Sequence, residues 1–316
     1  MSAVPVSKVL VLDNSAEHAP LIKGFCDQNG LVPLRVRDGS VMSVLQTNID
    51  LGGILYSDTY GSSPEQTTEI AAQIHAARPE LPIIIRRNGA ATLDDLPEHA
   101  RRIYCAAYAA NDLGALRKVL DEYIFCVMYP NALLRGIAEI TETVLKAQCA
   151  TLRVAMDTPY IVRDRVVFGE MFSLIQLESA WCRGYMMLQA QEEPLMRVMG
   201  KEPGTAANFR EINDLLSETT NLIWGAFKNR YLGDSRGMAA TQVQVPLIVN
   251  HKQKYISFGS ENPQLCFRFN LSNPKRECET PLYARFVFNL SWSPDDFREI
   301  PQDITGLVDS GELELF

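Results

Sequence analysis

The first 125 residues alternate short apolar runs with helical patterns, and this alternation constrains the fold more than any other property of the chain. An apolar run over 8–12 ends in Asp13-Asn14-Ser15, and a helical pattern over 17–29 closes at Gly30. The cycle repeats with a strand at 31–36, a helix at 40–47, a strand at 53–57 ending at Asp58, and a helix at 65–77. Strands are expected next at 82–85 and 103–106, then a helix from Asp112. Such alternation predicts a doubly wound parallel α/β sheet, whose ligands bind at the carboxyl ends of the strands. Asp13 and Asp58 both fall at such ends. Two carboxylates in one crevice can hold a divalent cation through hard oxygen ligands, and one of them can accept a phosphoryl group. Acidic residues also follow strands simply as turn formers, and for any single Asp this is the better reading.

Over about residues 7–125 the layout resembles the receiver domain of bacterial two-component signalling. Val9-Leu10-Val11-Leu12-Asp13-Asn14-Ser15 is similar to the family's first strand and acidic pair, and Ile54-Leu55-Tyr56-Ser57-Asp58 to its phosphoacceptor strand. Arg78-Pro79-Glu80-Leu81-Pro82-Ile83-Ile84-Ile85 is similar to its fourth strand. The resemblance implies a flavodoxin-like fold, Asp58 as candidate phosphoacceptor, and Asp13 with Asp58 as candidate Mg²⁺ ligands. Receivers usually place Thr or Ser after the fourth strand, and Lys followed by Pro after the fifth. Here those stretches read Arg86-Arg87-Asn88 and Cys105-Ala106-Ala107-Tyr108, and Asn14 replaces one metal carboxylate. The expectation is a degenerate receiver, phosphorylated weakly or not at all, that serves as a docking, regulatory or dimerisation module.

A chain of 316 residues with 47% apolar content has material for two cores, on a prior of about 100–200 residues per domain. Helical patterns at 112–129 and 132–148 are interrupted by Pro130-Asn131, which places the boundary between a domain at 1–128 and another at 129–316. The net charge of -8 argues against a non-specific grip on nucleic acid or anionic membrane. The second half shows neither a helix-turn-helix pattern nor a basic recognition helix. No apolar stretch approaches the roughly 18 residues of a membrane span, and no charged leader precedes an apolar run at the N-terminus. Seven scattered cysteines without a CxxC pair read as reduced thiols. A cytoplasmic protein is expected. His18, His75, His99 and His251 lack motif spacing and read as structural.

In the second half, short strands are expected within 151–167, an antiparallel pair at 171–177 and 184–190, a helix at 193–199, and a long helix at 209–231. Strands follow at 243–249, 265–270 and 282–291, giving an α+β domain. The segments 233–240, 270–281 and the acidic tail from Pro294 are loop-like in composition. At about 100° per residue the long helix puts Ile212, Leu215, Leu216, Thr219, Leu222, Ile223, Ala226 and Phe227 on one apolar face. Asp214, Glu218, Asn221 and Gly225 form a separate stripe at spacings of three and four, where side chains are neighbours. Spacing alone favours an ordinary solvated helix face.

The surrounding sequence, however, resembles the signature helix of the CheC/CheX/FliY phosphatases of bacterial chemotaxis. Their pattern is Asp or Ser, three residues, Glu, two residues, Asn; here it reads Asp214-Leu-Leu-Ser-Glu218-Thr-Thr-Asn221-Leu-Ile-Trp-Gly225. Gly184-Tyr-Met-Met-Leu188 and Val243-Gln-Val-Pro246-Leu-Ile-Val249 are similar to flanking strands of the single-copy CheX type, and the likeness spans about 131–291. One copy of the signature favours CheX over CheC. The resemblance implies an aspartyl-phosphate phosphatase acting on a phosphorylated CheY-like response regulator. Asn221 would orient the attacking water and Glu218 would pair with the partner's Lys. Asp214 and Gly225 are supporting positions, and Trp224 is an interface anchor or dimer contact. Mg²⁺ would come mainly from the partner receiver, and a homodimer is expected by analogy. The alternative is a non-catalytic signalling adaptor built from a pseudo-receiver and a docking domain.

Overall fold

The fold comes from a computed structural model that describes residues 5–36, 41–48, 50–89, 91–163, 165–200, 206–232, 248–250, 254–257 and 263–300. The first half runs β1 (Ser7–Leu12), α1 (His18–Gln28), β2 (Leu31–Arg35), α2 (Val41–Thr47), β3 (Leu51–Ser57), α3 (Pro64–Ala77), β4 (Ile83–Arg87), α4 (Glu98–Arg101), β5 (Ala106–Ala109) and α5 (Leu113–Tyr123). Its five strands form a parallel sheet in the order β2-β1-β3-β4-β5, the flavodoxin-like arrangement. Successive side chains of a strand point to opposite faces, so continuous apolar runs serve two layers at once. Leu10, Leu12, Ile54, Tyr56, Ile83 and Ile85 pack with Leu45 of α2 and Ala71 and Ile74 of α3. Val9, Val11, Leu55 and Ile84 pack on the other face with Ile22 and Phe25 of α1 and Leu116 and Leu120 of α5.

Several boundaries differ from expectation and α4 was not expected; three of the differences have a packing reason. β4 extends through Arg86 and Arg87, which hydrogen-bond in register with Ser57 of β3 and with Tyr108 and Ala109 of β5. β5 begins at Ala106, three residues after the expected 103. Ile103 and Tyr104 are buried ahead of it, in the cluster that contains Tyr56. The expected helix at 112–129 ends at Tyr123. The backbone N–H groups of Ile124 and Phe125 both reach Leu120 O, and Ile124 drops into the core while Tyr129 joins the core of the second half. The run Ile124-Phe125-Cys126-Val127 has weak helix propensity, so tertiary burial wins.

The second half continues with α6 (Asn131–Gln148), β6 (Arg153–Met156), β7 (Tyr160–Val162), β8 (Met171–Glu178), β9 (Cys182–Ala190), α7 (Glu192–Met199), α8 (Phe209–Phe227), β10 (Ile248–Asn250), β11 (Tyr255–Ser257), β12 (Gln264–Asn273) and β13 (Cys278–Trp292). An antiparallel sheet runs β6-β12-β13-β9-β8, with β7 also paired to β12. Helices α6, α7 and α8 cover one face through Leu134, Ile137, Leu195, Ile212, Ile223 and Phe227, packed on Leu188, Phe267 and Phe286. Most of the strand expected at 243–249 lies outside the described residues; its end is β10. The segment expected as a loop at 270–281 is instead the tip of a long hairpin, with Asn273 paired to Cys278. Alternate burial at Phe269, Leu271 and Asn273 holds it to the sheet although its composition is polar.

β7 ties the two sheets together. Ile161 N–H bonds Val6 O and Val6 N–H bonds Pro159 O, while Arg163 N–H bonds Leu51 O at 3.2 Å. The Ser7 hydroxyl donates to Ile161 O at 3.0 Å. Gly52 lies against this seam: a Cβ there would stand 1.8 Å from Ser7 Oγ and 3.0 Å from Ile161 O. Gly52→Ala is therefore expected to destabilise the protein by about 1–3 kcal/mol, the usual cost of overpacking, measured as a lowered midpoint in chemical denaturation.

Candidate functional site

Two places carry chemistry, the strand ends of the parallel sheet and the exposed stripe of α8. At the first, Asp13 follows β1 and Asp58 follows β3, on neighbouring strands. Between them stands Arg86, 3% exposed. Its Nε donates to Asp13 Oδ2 at 2.7 Å, and its Nη2 donates to Asp13 Oδ1 at 3.1 Å and to Ser57 Oγ at 2.8 Å. Its Nη1 donates to Asn88 Oδ1 at 2.6 Å. Asp58 Oδ2 accepts from Asn88 N–H at 3.0 Å and lies 3.8 Å from Arg87 Nε, while Asp58 Oδ1 is buried without a hydrogen-bond partner among the described residues. Asn14 turns away to donate to Tyr60 O at 2.9 Å.

Helix α8 is set by local chemistry and by its buried face. Asn208 Oδ1 accepts from Glu211 N–H at 3.1 Å while Glu211 Oε2 accepts from Asn208 N–H at 2.8 Å, a reciprocal cap. Its last turn widens into a π-helical segment at Lys228–Leu232, where Tyr231 is buried. Ile212, Leu216, Thr219, Ile223 and Phe227 are buried, and Asp214, Glu218 and Asn221 are exposed, as the projection predicts. Leu222 departs from the expected face. It is 42% exposed beside Glu218 and Asn221, and Thr220 is buried in its stead, its hydroxyl donating to Leu216 O at 2.7 Å. Trp224 is half-buried with Lys228 Nζ 5.4 Å from its ring centre. The space beside Gly225 is open, with nothing within 4 Å of a Cβ placed there.

Glu218 and Asp214 make no ion pair among the described residues; the nearest polar contact to Glu218 is Gln148 Nε2 of α6, at 3.4 Å from Oε1. A groove of about 410 Å³ runs alongside, with Met199, Ala207 and Leu215 on its apolar floor and Glu211, Asp214 and Glu218 on its acidic rim. Gln148, Met199 and Ala207 have no signal in the α8 motif, because they come from α6, the end of α7 and the segment before α8. The capping pair Asn208 and Glu211, not singled out in the sequence, has a signal there in its spacing of three.

The remaining reactive groups are quiet. All seven cysteines are free, and burial pushes the thiols of Cys26 and Cys182 up to about 12 and that of Cys149 to about 11, which removes their nucleophilic form at neutral pH. Among the described residues no group of three His, Cys, Asp or Glu gathers as a metal site, and no helix is long and apolar enough to cross a membrane. His75 lies in α3 and His99 in α4, and His251 is outside the described residues.

No protein-family model matches the chain, and no curated protein matches it in sequence. Solved structures with partial likeness include a CheC-like superfamily protein from Shewanella sp. PV-4, 18% identical, the overlap covering 49% of this chain and 96% of that one with a TM-score of 0.30. A chemotactic CheC-like protein from Shewanella oneidensis MR-1 is 15% identical over 48% of this chain and 94% of that one, with a TM-score of 0.31. Overlap of this quality fixes neither the fold nor the activity.

His18 offers a pH test of the crevice. Its Nε2 lies 3.3 Å from Tyr108 Oη, and burial first, then the Arg86 guanidinium, hold its pKa below the ordinary 6.5. The neutral ring is favoured by the fold, so the unfolded chain binds the extra proton and stability falls as pH drops below about 6.5. The thermal midpoint should therefore decline between neutral pH and pH 5.5, and His18→Gln should decline less. Equal declines in the two proteins would show that His18 does not contribute.

Proposed function

We propose that the chain is a CheX-like phosphatase that hydrolyses the aspartyl-phosphate of a CheY-like response regulator, with Glu218 and Asn221 as its working residues. The observation that carries this reading is an exposed Glu218–Asn221 pair one turn apart on a capped, well-packed helix, with Glu218 unpaired by any cation among the described residues. Exposed Leu222 and the open space at Gly225 flank the pair and give a protein partner room to approach. The roles themselves follow from the resemblance to the CheC/CheX/FliY family.

In this mechanism the partner's surface closes over α8 and its conserved Lys pairs with Glu218, which sets the register of the complex. The Asn221 carboxamide then accepts a hydrogen bond from water and donates one toward the phosphoryl oxygens, without adding charge beside an anion. That orientation places the water in line with the scissile P–O bond, and positioning is most of what phosphoryl transfer requires of a protein. The partner's Mg²⁺, when bound, supplies charge neutralisation at the phosphoryl group. The target is a separate protein, because neither the end of β4 nor the end of β5 offers a Lys. The N-terminal half serves as a docking and regulatory module at 1–128, and the assembly is a homodimer.

Mixing the protein with a phosphorylated CheY-like receiver should accelerate phosphate loss, and Asn221→Ala or Glu218→Ala should reduce that acceleration by about 100-fold. Both positions are exposed, so stability should stay within about 0.5 kcal/mol of wild type. Unchanged rates in both variants would remove the assigned roles, and binding without acceleration would assign the chain to adaptor function. Gly225→Ala separates interface from helix. A mid-helix Gly costs about 0.5–1 kcal/mol relative to Ala, so the variant should be more stable by that amount yet dephosphorylate more slowly, read by denaturation and by the same assay.

A further inference from the structure

The crevice at the strand ends already contains a cation, and it is covalently part of the chain. We propose that Arg86 is a built-in substitute for a divalent cation, so that the crevice of Asp13 and Asp58 takes neither Mg²⁺ nor a phosphoryl group, and the N-terminal half is held in one state by its own charge. The inference goes beyond the phosphatase reading and stands whatever α8 does.

A divalent cation at this place would need the carboxylate oxygens of Asp13. Both are committed: Oδ2 to Arg86 Nε at 2.7 Å, and Oδ1 to Arg86 Nη2 at 3.1 Å and to Ser15 N–H at 2.8 Å. Mg²⁺ demands near-octahedral oxygen ligands at about 2.0–2.1 Å and cannot share those lone pairs with a guanidinium. Arg86 has no room to swing aside freely, since it is 3% exposed and its remaining donors are held by Ser57 Oγ at 2.8 Å and Asn88 Oδ1 at 2.6 Å. Repulsion adds to this: a dication bound at Asp13 would stand beside the Arg86 guanidinium, with that of Arg87, paired with Asp95 at 2.7 Å, only 3.8 Å from Asp58 Oδ2. The residues present therefore do not fit the metal that a receiver-like layout implies. At Asp58 the oxygens are constrained too: Oδ2 is held by Asn88 N–H and Oδ1 is buried, so neither stands free in solvent as a nucleophile.

The test uses the full chain. Wild-type protein should show no change in thermal midpoint in millimolar Mg²⁺, no depletion of the free Mn²⁺ signal in electron paramagnetic resonance, and no labelling of Asp58 by acetyl phosphate. Arg86→Ser leaves Asp13 without its cation, so it should melt lower, recover in Mg²⁺, and bind Mn²⁺ at least about tenfold more tightly than wild type. Adding Asp13→Asn to Arg86→Ser should abolish the recovery. Mn²⁺ binding by the wild type that is lost in Asp13→Asn would overturn the proposal, as would labelling at Asp58, or a folded Arg86→Ser variant indifferent to both metals. If Arg86→Ser fails to fold, the wild-type Mn²⁺ and acetyl phosphate measurements decide the matter alone.

Discussion

Three residues of β7 hold the architecture together. Tyr160, Ile161 and Val162 pair with β12 on one side, and on the other the backbone around them bonds Val6 and Leu51 at the start of β1 and β3. Backbone polar groups buried at such a seam must find partners, and here each sheet supplies what the other lacks. The charges at the seam obey the same rule. Lys8 forms an ion pair with Asp50, both nearly buried, and its ammonium sits 4.3 Å from the centre of the Tyr160 ring. A buried pair of this kind adds little net stability but is costly to break from one side, so it acts more as a register pin than as glue. Fixing the register at the seam fixes what each half presents outward: the strand-end crevice of the first and α8 of the second.

α8 shows how a site is built by what the core takes away. Six of its side chains are buried, and each aliphatic or aromatic one among them is worth about 1.5–3 kcal/mol. That burial sets the rotation of the helix, and the rotation delivers Asp214, Glu218 and Asn221 to solvent. The cap at Asn208 and Glu211 holds the first turn and the π-helical segment seats Tyr231, so the stripe stands on a helix anchored at both ends. Leu222 and, at the first turn, Phe209 are exposed against their apolar character, left unclaimed by the core.

Much of this was legible in the residues. Period-two and period-3.6 patterns located most of the main elements, though not α4, and the separation of the α8 stripe from its apolar face came directly from spacing. The failures share a cause, which is that local pattern cannot see distant partners. Ile103 and Tyr104 read as a strand because they are apolar, yet they are buried ahead of β5 by contact with Tyr56 and its neighbours. The end of α5 depends on Ile124 finding the first core and Tyr129 the second. The hairpin at Asn273 and Cys278 is polar in composition and is kept in the sheet by alternate burial alone. Arg86 was visible as a departure from a receiver pattern, but its role depends on Asp13, 73 residues away in the chain.

The two chemical places differ in how their charge is settled, and that difference orders the molecule. In the crevice, Asp13 is closed on Arg86 within the chain, and Arg87 is shared between Asp95 at 2.7 Å and Asp58 at 3.8 Å. A carboxylate whose lone pairs are held by a guanidinium has none to offer an added ion. Along α8 the reverse holds, because Asp214 and Glu218 are exposed and lack a cation among the described residues, beside a groove with an apolar floor. An open acidic rim over apolar surface favours a partner that brings its own positive charge, and it steers that partner before contact is made. Within one acidic chain, therefore, the Asp13 carboxylate of the first half is answered internally, whereas the acidic stripe of α8 is left facing solvent.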